Sequence, residues 1–150
     1  MKRLRIYVDT SVLGGCFDEA FQSESEALLA MARRGEVVFV VSPLLAAELR
    51  RAPIEVHEVF NSLPTESLEE VPLDEESERL RDGYLAAGVL GRPHAADAHH
   101  VALATIARAD MIVSWNFRHL VHYDKIRGFN SVNLREGYPP IEIHSPKEVV

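Results

Sequence analysis

The chain has 150 residues, 47% of them hydrophobic, and a formal net charge of −7 from 16 Lys+Arg against 23 Asp+Glu. That length fits one domain over residues 1–150 that buries about 70% of the surface of its unfolded form, so neither disulfide nor structural metal is needed for folding. The acidic balance excludes a general nucleic-acid coating protein, whose affinity comes from counterion release at a basic surface, but it admits a protein that gathers carboxylates into one metal site. The single cysteine, Cys16, has no internal disulfide partner and reads as a small buried residue in a reducing compartment. The apolar run that opens the chain stops at Asp9, too short for a secretory segment. No stretch approaches the roughly 20 apolar residues of a membrane span. A soluble, cytoplasmic protein with no membrane partner is expected.

Leu4 to Val8 is a short apolar run of the kind that forms a strand buried on both faces, and it ends at Asp9-Thr10-Ser11. Ser23 to Arg34 has helical spacing and stops before Gly35, and Val37 to Val41 is a second buried strand. Ser42-Pro43 then offers an N-cap with proline in the first turn, opening a helix from Leu44 to Arg51 that carries Glu48. Pro53 and Pro64 bracket another helical segment, and Leu68 to Val71 makes a third strand. Asp74 caps a helix over Glu75 to Ala87. A further helix, His94 to Ala109, presents a narrow stripe of small residues. Met111 to Val113 is the next strand, and a last one falls around Ile141 to Ile143 after a mixed segment to which the pattern assigns no element. Strands alternating with helices imply an α/β domain with a central, largely parallel sheet.

In such sheets the functional crevice lies outside the carboxyl ends of the strands. Asp9 and Asn116 each follow a strand, Glu48 lies one to two turns into the helix after the second strand, and Asp97 lies in the first turn of its own helix. Carboxylates brought within about 4 Å repel by roughly 4 kcal/mol per pair at an effective dielectric near 20. Protonation or a salt bridge would offset this, as would a hard divalent cation such as Mg²⁺ or Mn²⁺, the natural partner of oxygen ligands. One or two such ions can serve phosphodiester hydrolysis.

Four segments in order, Ile6 to Leu13, Ser42 to Leu49, His94 to Ala104 and Ala109 to Leu120, resemble PIN domains, and within them VapC-type toxin ribonucleases of toxin–antitoxin pairs. The resemblance implies a three-layer α/β/α fold and an endoribonuclease in which Asp9, Glu48 and Asp97 bind Mg²⁺ or Mn²⁺ and activate water, with Asp9 and Asp97 as direct ligands. It implies that Thr10 or Ser11 holds Asp9 and the local backbone. It also implies RNA as substrate, a small antitoxin as partner, and a homodimer. The fourth acidic position of the family falls on Asn116, an amide that can still contact metal or water but removes one negative charge.

Blander readings exist for the same residues. Asp9 can cap the helix after it, Glu48 can belong to a solvated face with Arg50 and Arg51, and Asp97 can complement a helix dipole. The histidines His94, His99, His100, His119 and His122 have no zinc-site spacing and read as solvated or capping. Arg118, with Lys125 and Arg127, is either a phosphate contact or surface charge, and Trp115 reads as packed. Asn116 motivates an alternative, a PIN fold with weakened catalysis that binds RNA or regulates. A phosphatase of the haloacid dehalogenase type would start from a similar Asp9, but its second aspartate is here Ser11.

Overall fold

The computed structural model describes residues 2–150. Five strands, β1 (Leu4–Val8), β2 (Val37–Val41), β3 (Leu68–Glu70), β4 (Met111–Val113) and β5 (Ile143–His144), form one sheet in the order β3-β2-β1-β4-β5. Every pairing is parallel, with Ile6 opposite Phe39 on one side and opposite Met111 on the other. Seven α-helices connect them: α1 (Thr10–Gly14), α2 (Gln22–Arg33), α3 (Pro43–Leu49), α4 (Ile54–Asn61), α5 (Glu75–Ala86), α6 (Ala95–Ile106) and α7 (Tyr123–Arg135).

Because side chains alternate across a strand, each central strand feeds two cores. Tyr7, Val40 and Ile112 pack with Leu80 and Tyr84 of α5, Val101 and Ala102 of α6, and Phe129 and Val132 of α7. Ile6, Val8, Phe39, Val41 and Val113 pack on the other side with Val12 and Leu13 of α1, Leu28 of α2, Leu45 of α3 and Val56 of α4. The result is the expected α/β/α arrangement. From β1 the chain moves outward through β2 to β3, then returns past β1 to lay down β4 and β5, so the direction of winding reverses between β1 and β4. That switch point is where a parallel sheet opens a crevice at its carboxyl edge.

Most expected elements are present within a residue or two, including the Ser42 cap on α3 and the Asp74 cap on α5. Three readings need correction. The segment left without an element contains α7, thirteen residues long, whose Phe129, Val132 and Asn133 are buried. The last strand is Ile143–His144; Ile141 instead packs in the core with its N–H held by Asn130 Oδ1 at 2.7 Å. The small-residue helix ends at Ile106, since Arg108 adopts a left-handed φ of 56° that terminates it. Cys16 is buried as expected, and among the described residues no helix is long and apolar enough to cross a membrane.

His99 and His100 are both buried and hydrogen-bonded, contrary to the solvated or capping roles expected of them. His99 Nε2 lies 2.9 Å from Ser77 Oγ and ties α6 to α5. Burial, aided by the Arg81 and His100 charges, pushes the His99 imidazole down to about 4, so it is neutral in the folded protein at neutral pH. The unfolded chain takes up that proton near 6.5 and the folded one only near 4. Stability is therefore lost as pH falls through that window. Urea unfolding should show a loss on the order of 2 kcal/mol between about pH 7 and about pH 5, and His99→Gln should flatten that acid limb.

Candidate metal centre

Asp9 terminates β1 and caps α1, its Oδ1 accepting from Ser11 N–H at 3.1 Å. Capping is only part of its role, because the carboxylate is buried and both oxygens are claimed. The Ser11 hydroxyl donates to Oδ1, and the Ser114 hydroxyl, at the end of β4, donates to Oδ2 at 2.8 Å. Each serine oxygen in turn accepts a backbone N–H from the segment after β4, Ser11 from Trp115 and Ser114 from Asn116, both at 2.9 Å. Burial raises the Asp9 carboxyl above its ordinary range, against the charge of His100 and the two serine bonds, which lower it.

Glu48 reaches the same crevice from α3. Its Oε1 accepts from Thr10 Oγ1 at 2.8 Å and its Oε2 lies 3.2 Å from His100 Nε2. Thr10 and Ser11 thus divide the supporting work, one holding Glu48 and the other Asp9. His100 is fully buried, and its Nδ1 is 2.6 Å from the Tyr7 hydroxyl, itself 2.9 Å from Ser42 Oγ. Burial opposes charge on Glu48 and on His100 alike. The His100 and Thr10 bonds prevail for Glu48 and hold it below the usual carboxylate range, while the Glu48 bond and the charges of Glu48, Asp9 and Asp97 hold His100 above the usual imidazole range. Both shifts favour the charged forms of this contact between Glu48, on the crevice wall, and His100 behind it.

Asp97 lies in the first turn of α6, with Oδ2 3.1 Å from His119 Nδ1. Asn116 turns its Oδ1 onto the His119 N–H at 2.9 Å. Asp9, Glu48, Asp97 and Asn116, with Thr10 and Ser11, line one cavity of about 470 Å³. Asp18, which no motif or periodicity marks, is a fourth carboxylate on its wall. No lysine or arginine lines it. Arg118 is exposed in the turn beyond Asn116 and is not part of the lining, and Asp110 sits at the opposite end of β4, where its Oδ2 accepts from Arg5 N–H. A slightly larger apolar cavity, about 510 Å³ between α3 and β3, contains one carboxylate, Glu70, and none of the expected site residues.

The floor beside Asp9 is packed by Trp115, stacked on Phe21 at 4.1 Å between ring centroids and donating from Nε1 to Ser25 Oγ at 2.8 Å. Beside Asp97, His94 and His119 meet ring to ring, although they are 25 positions apart in the chain. Ser114 was not singled out in sequence, and His94, His100 and His119, read there as solvated or capping, have partners that only the fold brings together.

Fold and site together define an α/β protein with an acidic crevice at its topological switch point. A family model described as PIN domain matches residues 5–118, and the chain belongs to that family, whose members are generally nucleases. No match is found among curated proteins. Among solved structures, the chain is similar to one in the VapBC2 structure from Rickettsia felis bound to a DNA fragment from their promoter, with 12% identity, TM-score 0.56, and coverage of 95% of this chain and 98% of that one. It is likewise similar to one in the FitAcB structure from Neisseria gonorrhoeae, with 16% identity, TM-score 0.58 and the same coverage.

Gly15 lies against the aromatic floor, where an added Cβ would collide with Ser25 Oγ and Trp115 Nε1. Gly15→Ala should cost about 1–3 kcal/mol of stability. The emission of Trp115, the only tryptophan, should shift as its hydrogen bond to Ser25 is displaced; urea unfolding followed by fluorescence measures both.

Proposed function

We propose that the protein is a metal-dependent endoribonuclease and the toxin of a VapBC-type pair, a cytoplasmic domain of residues 1–150 that forms a homodimer and is neutralised by a small antitoxin. The observation that carries this reading is the cavity with four carboxylates and no basic side chain at the switch point. An acidic cavity of this kind suits a hard divalent cation, because charge repulsion and the burial cost of Asp9 are both relieved by it. Membership of a largely nuclease family supports the reaction class. The motif resemblance to VapC-type toxins, and a fold shared with chains of VapBC2 and FitAcB, support the toxin role and an antitoxin partner.

Asp9 and Asp97, with Glu48 directly or through water, would hold Mg²⁺ or Mn²⁺. Bound there, the ion supplies charge neutralisation at the phosphodiester and acidification of water. Glu48 is kept anionic at neutral pH by His100 and Thr10, and with both oxygens held from behind it has one orientation in which to accept a proton. Ser11 and Ser114 keep both Asp9 oxygens in place; Oδ1 accepts twice from Ser11, while Oδ2 accepts once, from Ser114, and so keeps a lone pair for a cation. Arg118, exposed in the turn two positions beyond Asn116, would contact a phosphate of the RNA.

A second reading, a PIN fold that binds RNA or regulates without efficient cleavage, is favoured by Asn116, whose Oδ1 is committed to the His119 backbone.

Purified protein incubated with labelled RNA in Mg²⁺, Mn²⁺ or chelator should cleave only with metal. Asp97→Asn, prepared identically, should lose at least about a hundredfold in rate. Cleavage by folded Asp97→Asn equal to the parent would overturn the assignment, and RNA binding without cleavage would favour the second reading. Asp9→Asn should also lose cleavage while its thermal midpoint in chelator matches or exceeds that of the parent, since a buried charge is removed and the amide keeps an acceptor for Ser11 N–H.

A further inference from the structure

We propose that His94 and His119 join Asp97 in a cation site beside the crevice, one that takes a divalent transition metal ion through two imidazoles and a carboxylate. One ligand atom from each of the three lies within 4.8 Å of the others. His119 Nδ1 is 3.1 Å from Asp97 Oδ2, and the His94 and His119 ring centroids are 3.8 Å apart at an interplanar angle of 34°. All three side chains are half-buried, open enough for an ion to enter and confined enough to be held ready for it.

The local causes are plain. His94 immediately precedes α6 and Asp97 lies in its first turn, so a spacing of three puts both on one side. His119 arrives from the turn after β4, fixed by its N–H on Asn116 Oδ1. Asn116, where the family resemblance places an acid, accepts the His119 N–H through Oδ1, as an aspartate would, and the His119 imidazole reaches Asp97.

Two imidazoles and one carboxylate with open positions suit Mn²⁺, Fe²⁺, Co²⁺ or Zn²⁺, whereas Mg²⁺ favours an all-oxygen shell. Neutral nitrogen ligands also leave more of the ion's positive charge uncancelled than carboxylates do. The site deepens the metal-dependent reading, with which it shares Asp97, by naming a class of ion and two ligands outside the acidic set.

The test uses tag-free, chelator-stripped protein titrated with Zn²⁺ or Mg²⁺, by calorimetry and by NMR of the imidazole nitrogens. Zn²⁺ should shift the His94 and His119 ring nitrogens and Mg²⁺ should not. His94→Gln and His119→Ala should each weaken Zn²⁺ binding by about a hundredfold or more, since even outer-shell partners of a metal cost about ten- to a hundredfold. Glu48→Gln should keep these imidazole shifts. Absence of Zn²⁺ binding, binding that leaves both rings unshifted, or equal binding by folded His119→Ala would overturn the site; should that variant not fold, the ring shifts of the parent protein decide. RNA cleavage in Mg²⁺ on the same samples separates the two claims. Cleavage without imidazole-bound Zn²⁺ sinks this site and leaves the nuclease, while imidazole-bound Zn²⁺ in a protein that never cleaves RNA does the reverse.

Discussion

The carboxylate of Asp9 is taken out of water at the end of the sheet's middle strand, and much of the surrounding structure answers to that burial. An ionised carboxylate in such a place is costly unless hydrogen-bonded on both oxygens. Ser11 and Ser114 do this in parallel, each spending its one hydroxyl hydrogen on a different Asp9 oxygen and taking a backbone N–H from the segment after β4. The same bonds that satisfy the charge therefore also hang the Trp115–Asn116 segment from β1. Trp115 then stacks on Phe21 and bonds Ser25, whose hydroxyl reaches Val12 O at 2.7 Å, so α1, α2 and the β4 loop are registered against one side chain.

Glu48 sits on the same crevice in a different electrostatic state. Its hydrogen bonds from His100 and Thr10 overcome burial and keep it more acidic than usual, whereas the deeper Asp9 is less so. Neighbouring carboxylates with opposed shifts are suited to different work, one ready to stay anionic and the other eager for a countercharge. The device that separates them is a buried line from Ser42 through Tyr7 and His100 to Glu48, which crosses from the end of β2 under β1 to α6.

The strands were legible because a sheet covered on both faces demands unbroken apolar runs, and Leu4–Val8 and Val37–Val41 are such runs. The positions of Asp9, Glu48 and Asp97 at one edge followed from strand ends and helix turns, and the structure brings them to one cavity. Helix α7 was illegible for a physical reason. Its stripe mixes Phe129 and Val132 with a buried Asn133, it exposes Tyr123 and Leu134, and it contains Gly128, which reads as a breaker. In the fold that glycine lets the helix approach Val89, whose methyl carbons lie 3.0 and 3.1 Å from where a Cβ would be. His99 and His100 look like surface residues in sequence because nothing local announces their partners, Ser77, Tyr7 and Glu48, which are 22, 93 and 52 positions away. Asp18 sits on the cavity wall through a turn that no periodicity describes.

The bond between Asp9 and Ser114 joins residues 105 positions apart, and β1 waits for β4 to occupy its second edge. A chain emerging from the ribosome amino end first can pair β1 with β2 early, but it carries an open strand edge and a half-supported Asp9 until β4 and Ser114 have appeared. The crevice is therefore completed only once β4 has docked on β1. A truncated product ending before β4 would contain Asp9, Glu48 and Asp97 yet lack Ser114 and the segment after β4, so its Asp9 would miss the donor to Oδ2 and its β1 would keep an open edge.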